Sequence, residues 1–166
     1  MRLKYRLAAT FALLVLAACD PQRISELKEG VSTEADVRDR FGAPENVWDE
    51  PGGARTFEYN RQPAGQVNYM ITIGPDGRMT ALRQVLTPET FARVSPGMRM
   101  DEVRRLLGKP AKVTPYGLKK ETWADWRYLE TPNQSKVFTV IYGPDQFVLR
   151  TQTGVDMEAP EFKGGK

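Results

Sequence analysis

Two stretches of similar sequence decide the fold, GVSTEADVRDRFGAP at residues 30–44 and GMRMDEVRRLLGKP at residues 97–110. From Val37 and Val103 onward both follow the pattern V-R-x-x-[FL]-G-x-P, after a difference of one residue in the preceding turn. Apolar residues three and four positions apart lie on one face of a helix. Each stretch therefore predicts a short amphipathic helix that ends at the Gly-x-Pro sequence.

Further landmarks downstream show that the similarity extends beyond the helix. F-E-Y at residues 57–59 matches W-R-Y at residues 126–128, and G-P-D at 74–76 matches G-P-D at 143–145. Similar landmarks that recur in the same order indicate an internal repeat, which has to be recognised before any other argument about the fold. The chain is predicted to contain two tandem copies of one unit.

The ends of the repeated helices carry recognisable signals. Thr33, with Asp36 three residues later, is a predicted N-cap with an acidic residue in the first turn. Gly42 and Gly108 stand where a left-handed residue ends a helix, and a proline two residues later prevents continuation. Another short helix is predicted from Thr87 through Val94, with a less clearly marked counterpart at residues 24–29.

After each helix the apolar period changes from helical to two, which is typical of strands. The alternation is clearest at residues 67–73, before the G-P-D turn, and the other predicted strands span residues 79–86, 122–129, 136–142 and 147–153. Each unit is therefore predicted to be α+β, with two short helices followed by an antiparallel meander of about three strands.

The predicted units span residues 19–86 and 87–157, followed by a tail at 158–166 that is predicted to be disordered. A unit of roughly 65 to 70 residues is small for independent stability. We therefore expect the two units to pack on each other.

The N-terminus has the composition of an export signal over residues 1–18. Three cations are followed by an apolar run of ten residues, about half of the ~20 needed to span a membrane. The sequence LAAC at 16–19 resembles the lipobox of bacterial lipoproteins, which implies a diacylglycerol lipid on Cys19 and cleavage just before it. The simpler alternative is an ordinary signal-peptide cleavage that leaves Cys19 as a free thiol.

Composition excludes several classes of function. The net charge of +3 includes three cations of the signal, and without them 21 Lys and Arg balance 21 Asp and Glu, so nucleic-acid binding loses its electrostatic support. Cys19 is the only cysteine and there is no histidine, which excludes disulfides, Cys or His metal sites and His-based triads. We expect no enzyme, no metal and no cofactor other than the lipid.

The doubled helix motif, the F/W-x-Y strand and the G-P-D turn, on a lipobox chain, resemble the SmpA/OmlA (BamE-like) lipoprotein family. The resemblance implies α+β units that bind partner proteins on the periplasmic side of the outer membrane and stabilise the β-barrel assembly complex. Family members look like single units, whereas a tandem pair is similar to the secreted β-lactamase inhibitor proteins, which form a concave binding sheet from two such units.

The expected function is therefore a non-enzymatic, lipid-anchored lipoprotein that faces the periplasm and binds a protein partner in outer-membrane assembly or envelope integrity. The alternative is an inhibitor-like module that acts on an envelope enzyme or cell-wall target. Asp20 after the lipidated cysteine resembles the sorting signal that keeps lipoproteins in the inner membrane, whereas the family resemblance implies the outer membrane. The outer membrane is narrowly favoured, and the inner membrane stays open.

Four aromatic residues are the candidates for binding a partner, because aromatic side chains dominate interface hot spots. The competing interpretation places the same side chains in the core or between the two units, since small cores depend on aromatic area. Trp126 and Tyr128 share one strand face, so one or both could point outward. The candidates are Trp48, Trp123, Trp126 and Tyr128.

Overall fold

The computed structural model describes residues 24–130 and 134–160. The predicted signal at 1–18 and the predicted sites Cys19 and Asp20 lie outside the described residues. Within the described ranges, no helix combines the length and the apolar character that crossing a membrane requires.

After the helical residues Ile24 and Ser25, the described part of the first unit contains a helix followed by four strands. These are α1 (Glu34–Phe41), β1 (Asn46–Asp49), β2 (Arg55–Asn60), β3 (Asn68–Ile73) and β4 (Met79–Gln84). A 3₁₀ turn at Pro51–Gly53 separates β1 from β2. The strands form an antiparallel sheet in the order β1-β2-β3-β4, called sheet 1.

The second unit repeats this order after an additional short helix. Its elements are α2 (Pro88–Phe91), α3 (Met100–Leu107), β5 (Lys112–Tyr116), β6 (Glu121–Glu130), β7 (Gln134–Tyr142) and β8 (Val148–Val155), with a 3₁₀ turn at Gly117–Lys119. The strands form sheet 2 in the order β5-β6-β7-β8. The predicted α+β fold of two tandem units is confirmed, although each meander has four strands where the sequence predicts about three.

The helix ends show how the sequence produces this geometry. Thr33 caps α1 through a capping box, in which its hydroxyl oxygen accepts from the Asp36 N–H and its own N–H donates to the Asp36 carboxylate. Gly42 and Gly108 have φ values of 82° and 73°, as predicted, but their ψ values of −160° and −171° are extended. That backbone region is almost restricted to glycine, and it directs the chain from each helix toward the next strand.

Two predictions at the starts of the units need correction. The helix predicted through Val94 ends at Phe91, because the next bonds run from the N–H of Arg93 and Val94 to carbonyls three residues back and form tight turns. Of the helix predicted at 24–29, Ile24 and Ser25 are helical and a turn follows. Ile24 and Leu27 pack against the first core.

Each sheet has an inner face that packs on the helices of its own unit. In the first unit, Val37 and Phe41 of α1 lie on Phe57, Tyr59, Tyr69, Ile71, Ile73 and Met79. In the second unit, Phe91, Val103 and Leu107 lie on the corresponding positions of sheet 2, Ala124, Trp126, Tyr128, Phe138, Val140, Tyr142 and Val148. The period-2 alternation therefore encodes these inner faces, and burying them drives the folding of each unit.

The outer face of sheet 1 is covered by the second unit, so the two units pack on each other as expected. The side-chain amide of Asn68 donates to the carbonyls of Leu107 (2.8 Å) and Lys109 (3.1 Å). The Lys109 N–H donates to Glu58 (3.0 Å) and to Asn60 (3.0 Å). Glu58 and Asn68 are 0% exposed, so the end of α3 seals the outer face of sheet 1 at this junction.

The junction depends on a close approach of Gly108 to sheet 1. A Cβ atom at Gly108 would lie 2.5 Å from the Asn60 side-chain oxygen and 3.0 Å from the Asn68 side-chain nitrogen. Met70, Val85 and Leu86 of the first unit also belong to the second apolar core. The two units therefore share polar and apolar contacts and form one body at this face.

Candidate partner-binding surfaces

Two of the four candidate aromatics are buried, which corrects their assignment as partner-binding residues. Trp126 is 1% exposed and Tyr128 is 2% exposed. The indole N–H of Trp126 donates to the Gly108 carbonyl (2.9 Å), and the Tyr128 ring packs edge-on against Phe91 with ring centroids 4.8 Å apart. Both side chains lie on the inner face of sheet 2, so the alternative of a core role holds for them.

Trp48 lies between the two units. It is half-buried on the outer face of sheet 1, where its indole N–H donates to the Glu58 carboxylate (3.2 Å). The Arg105 guanidinium of α3 lies 4.7 Å from the centre of its ring, a cation–π distance. Trp48 therefore contributes to contact between the units, the second alternative that the sequence left open.

Trp123 is the candidate that remains partly accessible, on the outer face of sheet 2. Its ring centroid lies 4.8 Å from that of Tyr116, and the Lys119 ammonium lies 5.5 Å from its ring. Its indole N–H donates to Glu121 (2.9 Å). Leu118, at the tip of the β5–β6 hairpin, is fully exposed. We call Tyr116, Leu118, Lys119 and Trp123 the hairpin patch.

An ion pair between Arg150 and Glu121 positions the hairpin patch. Two bonds from Arg150 to the Glu121 carboxylate (2.8 and 3.2 Å) connect β8 to the start of β6. The hydrogen bond from Arg150, and then that from Trp123, lower the pKa of Glu121. Glu121 therefore stays ionised at neutral pH and orients the Trp123 indole within the patch.

Exposed apolar side chains are distributed unequally between the units. Val31 and Val47 are the large apolar residues exposed among the described residues of the first unit. In the second unit the corresponding set is Val113, Tyr116, Leu118, Leu129, Phe147, Leu149, Val155 and Met157. Contiguous exposed apolar patches mark sites of interaction, and Tyr116 and Leu118 of this set lie together in the hairpin patch. The second unit is therefore the better candidate for contact with a partner.

Among the described residues, the C-terminal segment packs on the outer face of sheet 2. The Arg127 side chain pairs with the buried Asp156 carboxylate (2.6 Å) and donates to the Pro63 carbonyl (2.9 Å). Ala159, which the sequence places in a disordered tail, is 0% exposed, and residues 161–166 of that tail lie outside the described residues. A small cavity of about 270 Å³ remains beside Arg127 and Asp125.

A larger groove lies beside the junction, between the outer face of sheet 1 and the helices of the second unit. Its volume is about 540 Å³. The lining is polar and rich in arginine, and comprises Glu50, Thr56, Met70, Thr72, Arg83, Gln84, Val85, Thr90, Arg93, Arg105 and Leu106. Sequence reasoning did not identify this groove, because its arginines come from three separate elements.

The described residues give little support for metal chemistry. Across residues 24–130 and 134–160, no group of three or more His, Cys, Asp or Glu side chains is placed to hold a metal ion. The one carboxylate in the groove is Glu50, and the other lining side chains that ionise are arginines. Both the groove and the hairpin patch have the chemistry of binding surfaces.

Comparisons with known proteins identify similar structures only. No family model matches the chain, and no curated protein matches it. A DUF4309 family protein (YjgB) from Bacillus subtilis is 23% identical, with coverage of 82% of this chain and 86% of that chain and a TM-score of 0.32. A protein from Streptococcus mutans, provisionally assigned as a β-lactamase inhibitor protein, is 11% identical, with coverage of 81% and 94% and a TM-score of 0.35. At these scores neither likeness carries an argument about function.

Proposed function

We propose that this chain is a non-enzymatic lipoprotein, anchored through Cys19 and facing the periplasm, that binds an envelope protein through its second unit. The hairpin patch carries the proposal, because a fully exposed Leu118 lies at the tip of the hairpin whose strands bring the Tyr116 and Trp123 rings within 4.8 Å of each other. Rigid aromatic rings next to a cation are the side chains enriched in interface hot spots.

Site-specific photocrosslinking tests the binding role. A photoreactive phenylalanine analogue replaces Leu118 in one variant and Val31 in a control variant, since Val31 is also exposed (62%) but lies in the first unit. We expect Leu118 adducts to contain a distinct envelope protein that Val31 adducts lack. Identical adducts from both positions, or none at all, would contradict a partner-binding role for the hairpin patch.

Membrane fractionation tests the anchor separately. The wild type is compared with Cys19→Ser and Asp20→Ser variants, because a lipid on Cys19 supplies the membrane affinity in this proposal. Cys19→Ser is expected to leave the membrane fraction. If the Cys19→Ser variant stayed in the membrane fraction, the proposal of a lipid anchor on Cys19 would be wrong. A shift of Asp20→Ser between inner and outer membranes would show that Asp20 sorts the protein.

A role in outer-membrane assembly is the finer part of this proposal and rests on the resemblance to the SmpA/OmlA family in the doubled helix motif. The inhibitor-like alternative predicts one concave sheet shared by both units. The described strands form two separate four-stranded sheets, which does not favour that alternative. The identity of the crosslinked partner discriminates between them, since an assembly factor supports the first and an isolated envelope enzyme the second.

A further inference from the structure

The groove between the two units has an excess of positive charge. Arg83 of β4, Arg93 after α2 and Arg105 of α3 line it, against the single carboxylate of Glu50. Its volume of about 540 Å³ lies within the roughly 300 to 1,000 Å³ of sites that bind small molecules. A groove of this size and charge is suited to an anion.

The three arginines differ in how far they are already neutralised. Arg83 donates to Glu29 (2.8 Å), so much of its charge is balanced. Arg105 lies over the Trp48 ring, which orients the guanidinium without neutralising it. Arg93 is exposed and makes no side-chain hydrogen bond or ion pair with the described part of the chain. Arg93 and Arg105 therefore keep their charge available to a ligand.

The remaining lining supplies hydroxyl groups and an apolar surface. The Thr56 and Thr72 hydroxyls lie 3.1 Å apart on the outer face of sheet 1, and Thr90 adds a third hydroxyl. Met70 and Leu106 provide apolar contact from opposite sides of the groove. Guanidinium groups pair with carboxylate and phosphate in fork geometry, and hydroxyl groups can complete the coordination of such anions.

We infer that this groove binds a small organic anion, with carboxylate or phosphate groups on a partly apolar body. Arg93 and Arg105 would pair with the anionic groups, and Met70 and Leu106 would contact the apolar part. The inference is independent of the proposed partner binding, because the hairpin patch shares no residue with the groove. The groove exists only because the two units pack together, so the ligand would also connect them.

Calorimetric titration of the full chain in a non-ionic detergent tests the inference. The probes are inorganic phosphate, benzene-1,3,5-tricarboxylate and the uncharged triamide of the same ring. We expect saturable binding of the tricarboxylate, weaker binding of phosphate because it lacks an apolar body, and none of the triamide. Added salt should weaken the binding of both anions, because it screens their attraction to the arginines. Equal heats from the triamide and the tricarboxylate would overturn the inference.

Two variants that change the charge of the groove in opposite directions locate the binding site. Arg93→Gln should weaken tricarboxylate binding by about fivefold or more, since it removes a charge-assisted pair. Glu50→Gln should tighten it by about two- to fivefold, because it removes the one repelling charge. A misfolded variant could not tighten binding. Arg99→Gln is the matched control, since Arg99 is exposed and pairs with Asp101 outside the groove. Equal affinity in all four proteins would place the anion elsewhere.

Discussion

The outer faces of the two sheets carry opposite charges at the central position of the F-E-Y and W-R-Y sequences. Glu58 in F-E-Y corresponds to Arg127 in W-R-Y. Glu58 is fully buried beneath the end of α3, where it accepts from the Lys109 N–H and from the Arg104 guanidinium. The charge of Arg127 is balanced by Asp156 from the C-terminal segment. Repeats with matching inner faces thus carry opposite charges at this matched position of their outer faces.

The contact between the two units is therefore asymmetric. The Gly108 end of α3 packs on sheet 1, whereas nothing lies within 4 Å of the Cβ position at the matching Gly42 of α1. On sheet 2, the described residues that pack on the outer face include Asp156 of the C-terminal segment of the same unit. Within residues 24–130 and 134–160, the end of a helix from one unit packs on the sheet of the other unit at this one junction. Residues that differ between matched positions, rather than the shared motif, determine the assembly.

The largest expected effect comes from adding one carbon at the junction. Gly108→Ala and Gly42→Ala both place alanine in a backbone region that is almost restricted to glycine, at a cost of about 2 kcal/mol. Gly108→Ala also forces the new Cβ against Asn60 (2.5 Å) and Asn68 (3.0 Å). We expect it to lower the free energy of unfolding by about 2 kcal/mol more than Gly42→Ala does.

Urea unfolding of the two variants, measured side by side, checks this difference. Gly42→Ala controls for backbone strain, because it has the same motif and an open Cβ position. Equal losses of stability in the two variants would show that the close approach at Gly108 contributes nothing to the contact between the units.

Glu58→Ala is expected to have the next largest effect. Removing this buried carboxylate leaves the Trp48 indole and the Arg104 guanidinium without their acceptor, and the Lys109 N–H with Asn60 alone, at a cost of about 2 to 3 kcal/mol. Glu58→Gln keeps an acceptor and should cost less. Thermal unfolding followed by the fluorescence of the tryptophans measures both. The interpretation of the junction fails if Glu58→Ala proves as stable as the wild type.

The inner faces could be predicted from the sequence, because period-2 alternation and the Gly-x-Pro stop are local signals. Strands β1 and β5 were missed since they are short or interrupted by Pro115, and both lie at sheet edges. Asn68 and Met70 alternate with the apolar residues of the inner face in the stretch 67–73, yet both are buried. Burial of that side depends on a helix from the other unit, which no local pattern encodes.

The sites were less predictable than the fold for the same reason. Trp123 and Trp126 lie three residues apart on β6 and therefore on opposite faces of sheet 2, which strand alternation could have shown. The groove depends on Arg83, Arg93 and Arg105, which converge only after the units pack. The difference between the units in exposed apolar surface likewise follows from which outer face receives a helix.

Tyr142→Phe is expected to stabilise the protein slightly. Tyr142 is 0% exposed at the end of β7, and its hydroxyl has no hydrogen-bond partner among the described residues. Burial raises the pKa of this phenol, which therefore stays neutral. The matching position of the first unit is Ile73, which has no polar atom to satisfy. Removing the hydroxyl should raise the free energy of unfolding by up to about 1 kcal/mol. A loss of stability on urea unfolding would reveal a partner for that hydroxyl.

The smallest effect concerns Glu45, which reaches across the junction to the Lys109 ammonium (2.7 Å). Burial opposes ionisation of Glu45, but hydrogen bonds from Lys109 and Asn60 outweigh it and lower its pKa. An acid whose pKa falls on folding stabilises the native state above its unfolded pKa, and this contribution is lost as the pH drops through the folded pKa.

Glu45→Gln should therefore be less stable than the wild type at pH 7 by a few tenths of a kcal/mol, since the pair is partly exposed. In parallel urea titrations the gap should close below about pH 4. A gap that persisted in acid would mean that the packing of Glu45, rather than its charge, stabilises the contact between the units.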